Sequence, residues 1–223
     1  MTMVSNLDLI RRVPLFLNLT EPQAESLAEV VVKRRYKRGE TIVEQGKRSR
    51  TFYVVLSGRA RVYTSHAGGR EVILATITQG GYIGEMSLID NEPHSATVRA
   101  DIQTDVLMLG LDEFARFMPN DGTVAHAILC GLTQRLRRAD RNIESLSLMD
   151  VYGRVARVLL ESSQIEPDGQ RLIRDRMSRQ DIAKMVGASR EMVSRVMKDL
   201  EDRGIIVTQD DIIQINERLS KVG

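Results

Sequence analysis

Between residues 39 and 81 a glycine, or a pair of them, interrupts the chain at roughly every 7 to 12 residues: Gly39, Gly46, Gly58, Gly68-Gly69 and Gly80-Gly81. The runs between these breaks, and on to residue 110, are short and rich in Val, Ile, Thr and Tyr. "TFYVVLSGRARVYT", "EVILATITQGG", "SATVRA" and "TDVLMLG" read as strands. Strands this short, broken this regularly, suggest an antiparallel roll or barrel rather than alternating βαβ units. Before them, residues 1 to about 20 read as a short helix entering at "NLDLIRRVPLF" and stopped by Pro14.

After Pro119 the period of the apolar residues changes. Leu129, Leu132, Leu136, Ala139, Ile143 and Leu146 recur in steps of 3, 4, 3, 4 and 3. This is a heptad stripe with apolar a and d positions. A stripe so narrow favours a contact between two helices over burial in one domain. Dimerisation along this helix is therefore expected; packing onto the protein's own barrel is the alternative.

A further segment begins near residue 151. "DVYGRVARVLLESS" reads as an amphipathic helix, and a polar stretch with Pro167-Asp168-Gly169 follows it. In "MSRQDIAKMVGASREMVSRVMKDLEDRGII", Ser178 with Asp181 three residues on signals a helix start. Ile182, Ala183 and Val186 give that helix its buried face, Gly187 supplies a turn, and Ser189 caps a second helix. The second helix is expected to bury Met192, Val193, Val196 and Leu200, and to present Arg190, Glu191, Ser194, Arg195 and Lys198. Two short helices about a glycine turn form a helix-turn-helix. "IIVTQDDIIQIN", broken at Asp210-Asp211, reads as a hairpin or wing.

Charge agrees with that reading locally and not globally. The net charge of the 223 residues is +2. From Arg171 to Lys198, however, eight Lys/Arg, Arg176 among them, face three acids, an excess of five. A basic patch confined to one segment is the footprint of a DNA-contacting module, or else a solvated helix face. The single cysteine, Cys130, excludes a disulfide framework and any four-cysteine metal or iron–sulfur site. His66, His94 and His126 show no metal-ligand spacing, so no metal site is expected. No apolar run approaches the ~20 residues of a membrane span. The N-terminus lacks the apolar core of a signal peptide, and a cytoplasmic protein with no membrane partner is expected. No nucleophile–base pair, metal cluster or P-loop is present, and Glu85 with His94 alone makes no catalytic set, so an enzyme is not expected.

One more stretch carries chemistry. "GYIGEMSLIDNEPHSATVRA", residues 81 to 100, sets Gly81, Gly84 and Glu85 about ten residues before Ser95-Ala96. Backbone N–H groups of such a loop can close on a phosphate while the carboxylate takes a sugar hydroxyl. With this cassette, the heptad helix and "SREMVSRVMKDLEDRGII" in order, the chain resembles the cyclic-AMP receptor protein and fumarate–nitrate regulator (CRP/FNR) family of bacterial transcription factors over nearly its full length. The resemblance implies an α+β protein: an N-terminal antiparallel β-roll for effector binding (1–118), a long dimerisation helix (119–150) and a C-terminal winged helix-turn-helix (151–223). It further implies that Gly84 contacts a phosphate through its backbone and that Glu85 accepts from a ribose hydroxyl. Ser95 and the Ala96 amide would also face the phosphate. Arg190, Glu191 and Arg195 would read base edges of a TGTGA-like half-site, with Ser178, Arg179, Ser189, Ser194 and Lys198 completing the DNA-binding set. The chemistry agrees independently, since Arg suits G at O6/N7 and Glu accepts from the amino group of C.

Two departures bear on the ligand. Cyclic-AMP binders carry arginine immediately before the cassette serine, where this chain has His94. A histidine that titrates near neutrality is a poor replacement for a permanent bidentate cation. Where those proteins set a Thr-Ser pair against adenine, this chain has Ala139-Asp140. A carboxylate at 140 can accept from the N1–H and N2–H₂ donors of guanine. Arg137, three residues earlier, forms with it an Arg-x-x-Asp arrangement that resembles cyclic di-GMP motifs. Arg138 and Arg141 cluster beside it, and His94 is counted with the pocket. The competing account pairs Arg135, at a g position, with Asp140 at e of the partner subunit as an ordinary interhelical ion pair. The expected protein is a homodimeric transcription activator, without covalent cofactor, that binds cyclic di-GMP (alternatively cyclic AMP), two-fold symmetric promoter DNA and RNA polymerase. A ligand would lodge between roll and long helix. The rival is an effector-independent regulator whose roll is only a scaffold.

Overall fold

The computed structural model describes residues 5–65, 69–117, 122–175, 177–216 and 219. His66, Gly68, Pro119 and Arg176, which entered the sequence reading, lie outside the described residues. The chain divides into two compact units, Met1–Arg135 and Leu136–Gly223.

The first unit opens with helix α1 (Asn6–Ile10), closed at its start by a capping box between Ser5 and Asp8. The helix expected to run to Pro14 ends at Ile10, and Pro14 instead starts a 3₁₀ turn, Pro14–Phe16. Helix α2 (Glu21–Val30) follows, again with a capping box, from Thr20 and Gln23. Eight strands come next. β1 (Val32–Tyr36), β8 (Thr104–Gly110), β3 (Thr51–Ser57) and β6 (Tyr82–Ile83) form one antiparallel sheet in that order. β2 (Thr41–Val43), β7 (Thr97–Ala100), β4 (Arg59–Ser65) and β5 (Glu71–Thr78) form the other. The first of the four runs read as strands holds two, β3 and β4, and the other three hold β5, β7 and β8, so the antiparallel roll is present.

The side-chain alternation of β3 and β8 shows why their sequences are continuously apolar. Tyr53, Val55 and Val106 point into the core shared by the two sheets, with Ala60, Val98 and Ala100 opposite. Phe52, Val54, Leu107 and Leu109 point the other way, onto the N-terminal helices. A sheet covered on both faces needs apolar residues at every position. The second cover also includes Val124 and Ile128 from helix α5 (Gly122–Leu148), which follows helix α4 (Leu111–Phe117).

Along α5 the heptad residues Leu129, Leu136, Ile143 and Leu146 are 62%, 63%, 63% and 56% exposed. Ala139 is exposed too, and only Leu132 packs on the unit's own core. Packing onto the barrel therefore accounts for Leu132 and for Val124 and Ile128, but leaves most of the stripe uncovered.

The second unit packs helix α6 (Val151–Ser162), capped by Asp150, with α7 (Arg179–Val186) and α8 (Arg190–Asp202). A small antiparallel sheet completes it, in the order β11 (Ile206–Gln209), β12 (Ile212–Ile215), β10 (Arg171–Ile173), β9 (Gln164–Ile165). The β11–β12 hairpin turns at Asp210 and Asp211, both at positive φ, 48° and 67°. Val155, Leu159, Ile182, Val186, Val193, Met197 and Leu200 meet in one core. This corrects one expectation: Met197 is fully buried, whereas Met192 is 39% exposed. On an α-helix 193, 197 and 200 share a face, and 192 lies about 100° from 193.

Candidate functional site

In the first unit, the segment after β6 turns sharply at Gly84 into the short helix α3 (Glu85–Asp90). Gly84 has φ 93°, and a Cβ there would sit 2.7 Å from the carbonyl oxygen of Thr51. Both facts require glycine. The turn swings Glu85 inward, 1% exposed, onto a cleft enclosing ≈ 390 Å³, part of it open to solvent. Val43, Val62, Ile77, Ile83 and Val98 make its apolar walls, and Gly84, Glu85, Ser87, His94, Ser95, Ala96 and Arg135 supply its polar ones. The structure thus brings together the five expected ligand residues of the cassette: Gly84, Glu85, His94, Ser95 and Ala96. Arg137, Arg138, Asp140 and Arg141 are exposed residues of α5 and do not line this cleft.

Arg135 is the residue that sequence reasoning left out of the site. Its Nη1 donates to Glu85 Oε1, its Nη2 donates to the Tyr82 carbonyl oxygen at 2.7 Å, and its guanidinium lies 4.9 Å from the Tyr82 ring centroid. The Tyr82 hydroxyl donates in turn to the Ile128 carbonyl at 3.1 Å, over Gly131, where a Cβ would collide with it. Val124, Ile128, Gly131 and Arg135 follow one another at steps of 4, 3 and 4, a second face of α5 distinct from the heptad stripe. That face was the available signal. Burial pushes the Glu85 carboxyl above its ordinary value, and the positive charge of Arg135 opposes the shift.

His94 is buried, 7% exposed, and both ring nitrogens are engaged: Nε2 with Ser49 Oγ at 2.8 Å and Nδ1 with Ser87 Oγ at 2.9 Å. Its backbone N–H donates to the Lys47 carbonyl and its carbonyl accepts from Gly46 N–H, each at 2.9 Å, fastening the cassette to the β2–β3 loop. Burial lowers the pKa of the imidazole and so favours its neutral form.

In the second unit, α7 and α8 meet at Gly187, in the left-handed region with φ 65°. Ser189 Oγ accepts from Met192 N–H at 3.2 Å and starts α8 as expected. Arg190, Glu191, Ser194, Arg195 and Lys198 are all exposed, on the face opposite Val193, Met197 and Leu200. The Glu191 carboxyl is held below its ordinary range by its own backbone N–H, by Ser189 and by the nearby Arg190 and Arg195, and so stays an acceptor. Two expected DNA contacts have internal duties. Ser178 forms a capping box with Asp181, and Arg179 donates to Glu201 Oε1 at 2.8 Å, an oxygen that also accepts from Thr208. Among the described residues no group of His, Cys, Asp and Glu could hold a metal ion, and no helix is long and apolar enough to cross a membrane.

Residues 33–121 match the family model for the cyclic nucleotide-binding domain, and residues 153–219 match that for the Crp-like helix-turn-helix domain. The chain is 33% identical over 183 residues to the cAMP-activated global transcriptional regulator Vfr of Pseudomonas aeruginosa, covering 78% of this chain and 84% of that protein. It belongs to the CRP/FNR family. The Cyclic AMP receptor protein of Thermus thermophilus is 31% identical, over 92% of this chain and 93% of that one. Among solved structures, the c-di-GMP-responsive global regulator CLP of Xanthomonas campestris superposes with a TM-score of 0.75 at 26% identity, covering 86% of this chain and 96% of its own. A CooA mutant from Carboxydothermus hydrogenoformans shares the fold at 21% identity and TM-score 0.78. This CRP/FNR-family member is a cyclic nucleotide-responsive, DNA-binding transcription regulator and not an enzyme.

Proposed function

We propose that this regulator is a homodimer controlled by cyclic di-GMP and directed to two-fold symmetric promoter sites with TGTGA-like half-sites. The observation that carries the ligand reading is His94, buried with both ring nitrogens held by Ser49 and Ser87, at the position where cyclic-AMP binders have an arginine. A cyclic nucleotide there finds backbone and serine donors at Gly84, Ser95 and Ala96, and Glu85 for a ribose hydroxyl. In cyclic di-GMP the 3′–5′ linked ring leaves the 2′-hydroxyls free for that carboxylate. On α5, the exposed Asp140 with Arg137, Arg138 and Arg141 offers an acceptor for guanine N1–H and N2–H₂ and cations for phosphate or O6/N7. These are guanine chemistry, and the Xanthomonas relative responds to the same dinucleotide.

The homodimer reading rests on the exposed stripe Leu129, Leu136, Ile143 and Leu146, which a second α5 would cover. With paired α8 helices about 34 Å apart, two half-sites in successive major grooves are read together. Arg190, Glu191 and Arg195 read bases, Lys198 and Ser194 take phosphate, and RNA polymerase is the further partner. We assign residues 1–118 to effector binding, 119–150 to dimerisation and 151–223 to DNA.

A cyclic-AMP-responsive reading is favoured by the Pseudomonas and Thermus relatives, named for that nucleotide, and by Arg135, which places a cation on the cleft after all. Calorimetric titration of the ligand-free protein with cyclic AMP, cyclic GMP and cyclic di-GMP separates the two. Tight cyclic AMP binding with no measurable cyclic di-GMP binding overturns the proposal. Loss of at least about tenfold in cyclic di-GMP affinity in Asp140→Ala supports it, because guanine donors would lose their acceptor.

A further inference from the structure

The three-residue chain Ser49–His94–Ser87 has a property that an arginine at position 94 would lack. A neutral imidazole has one N–H and one lone pair. One of its two serine neighbours therefore donates to the ring while the other accepts from it. When the ring proton is on Nε2, Ser87 spends its only hydroxyl proton on Nδ1 and has none for a ligand. When the ring is protonated on both nitrogens, both donate, both serine oxygens accept, and both hydroxyl protons are released. Ser87 and His94 line the cleft, so a released Ser87 proton can point into it. The protonated pair then presents a positive charge and a hydroxyl donor to the cleft, which are what phosphate recognition needs.

We propose that His94, acting with Ser87, is the phosphate-recognition element of this cleft in place of an arginine, and that it takes up a proton as an anionic phosphodiester binds. The inference rests on the reading that the cleft holds a cyclic nucleotide, and adds how a site with a neutral side chain at position 94 can hold an anion. The proton comes from the solvent and returns to it when the ligand leaves. The charged groups on the elements that hold His94 include Arg50 of the β2–β3 loop, paired with Asp112 at 3.1 Å, and the exposed Asp90 of α3. Lys47 and Glu44 in the β2–β3 loop pair with each other at 2.8 Å, with Arg48 exposed beside them. Glu85 on α3 is paired with Arg135 from α5, and Glu92 is exposed two residues before the histidine. Burial lowers the pKa of the imidazole below its ordinary value. An anion alongside favours the charged ring and raises that pKa. The bound state therefore carries more protons than the free state in the window between the two values. Affinity rises as pH falls through the bound-state pKa and levels off below the free-state one.

The experiment is calorimetric titration of the full chain with cyclic di-GMP and, separately, cyclic AMP, from about pH 5.5 to about pH 8, in buffer pairs of different ionisation enthalpy. The nucleotide that binds is expected to weaken about tenfold across this range, the change that a one-unit pKa difference produces. The buffer pairs should report net proton uptake that peaks at about half a proton per occupied site, midway between the free-state and bound-state pKa values. His94→Gln is expected to bind as the wild type does at the alkaline end and to show a flat profile. His94→Arg should bind tightly at every pH, with no proton uptake. Ser87→Ala should keep the pH dependence but bind more weakly at the acidic end. Should the position-94 variants fold poorly, the His94 Cε1–H resonance of the wild-type protein, titrated with and without cyclic di-GMP or cyclic AMP, measures the same shift directly. Binding with a flat profile and no proton uptake in the wild type overturns this inference alone. A pH dependence that survives in His94→Gln also overturns it. Absence of binding by both nucleotides at every pH overturns it together with the functional reading beneath it.

Discussion

Replacing Arg135 with methionine keeps the apolar stem of the side chain and removes its guanidinium. The group makes two hydrogen bonds, to the Glu85 carboxylate and, at 2.7 Å, to the Tyr82 carbonyl, and stacks 4.9 Å from the Tyr82 ring. A hydrogen bond involving a charged group contributes about 1.5–3 kcal/mol, and an exposed cation–π contact about 0.5–1 kcal/mol. The Arg135 side chain is 41% exposed, so water already screens part of this. A net loss of roughly 2–3 kcal/mol at neutral pH is expected, lowering the thermal midpoint of a unit of this size by roughly 5–10 °C. The loss should depend on pH. Glu85 has a folded-state pKa above its unfolded value, so its contribution to stability is present below the unfolded value and is lost as pH rises through the folded one. Removing the opposing cation raises the folded value further and widens that window. The deficit should therefore be largest at neutral pH and shrink below pH ~3.5, where the carboxyl is protonated in both states. Denaturation of wild type and Arg135→Met at several pH values measures this, and adding Glu85→Gln should recover most of the neutral-pH loss. A deficit below about 0.5 kcal/mol, or one of the same size at every pH, refutes the argument.

On DNA, Arg190→Ala and Arg195→Ala should each weaken specific binding by roughly 1–3 kcal/mol and relax preference at one base pair per half-site, whereas Lys198→Ala should weaken all sequences about equally. Selection from a randomised half-site checks both, and an unchanged base preference in Glu191→Ala removes the assigned cytosine contact. Leu136→Glu or Ile143→Glu, each placing a charge where the native side chain is 63% exposed, should leave the monomer folded and abolish the dimer in analytical ultracentrifugation. A dimer of unchanged affinity would move the interface off α5. Arg179→Ala breaks a half-buried pair with Glu201 and should lower the stability of the second unit by about 1 kcal/mol in thermal melts, whatever DNA is present.

The helix-turn-helix was legible because its determinants are local. Ser178 with Asp181, Gly187 and Ser189 each act within four residues of chain, and the structure uses each as a cap or turn. The roll was legible in β3, β4, β5, β7 and β8, whose runs are rich in Val, Ile, Thr and Tyr. β1 was not, because it is an edge strand whose "VKRRY" exposes every residue except Tyr36. Cations on an edge strand discourage further pairing and also hide the alternation that marks a strand. Helix α2 escaped for a similar reason: in ten residues it fully buries only Ala24 and Leu27. In the site, the cassette residues follow one another closely and could be read together. His94 could be picked out as an anomaly, but its environment could not, since Ser49 lies 45 residues away and reaches it only through the roll. Arg135 was read through the heptad as a neighbour of the stripe, when α5 has a second face with its own purpose.

The claim that joins cleft to recognition helix is that cyclic di-GMP, more than cyclic AMP, changes how this regulator holds DNA. The direct measurement is fluorescence anisotropy of a labelled duplex carrying two inverted TGTGA half-sites, titrated with the protein alone and with each nucleotide in turn. The account predicts a shift in DNA affinity with cyclic di-GMP that is absent in Asp140→Ala and much smaller with cyclic AMP. A shift produced by cyclic AMP and not by cyclic di-GMP contradicts it, as does an affinity that neither nucleotide alters.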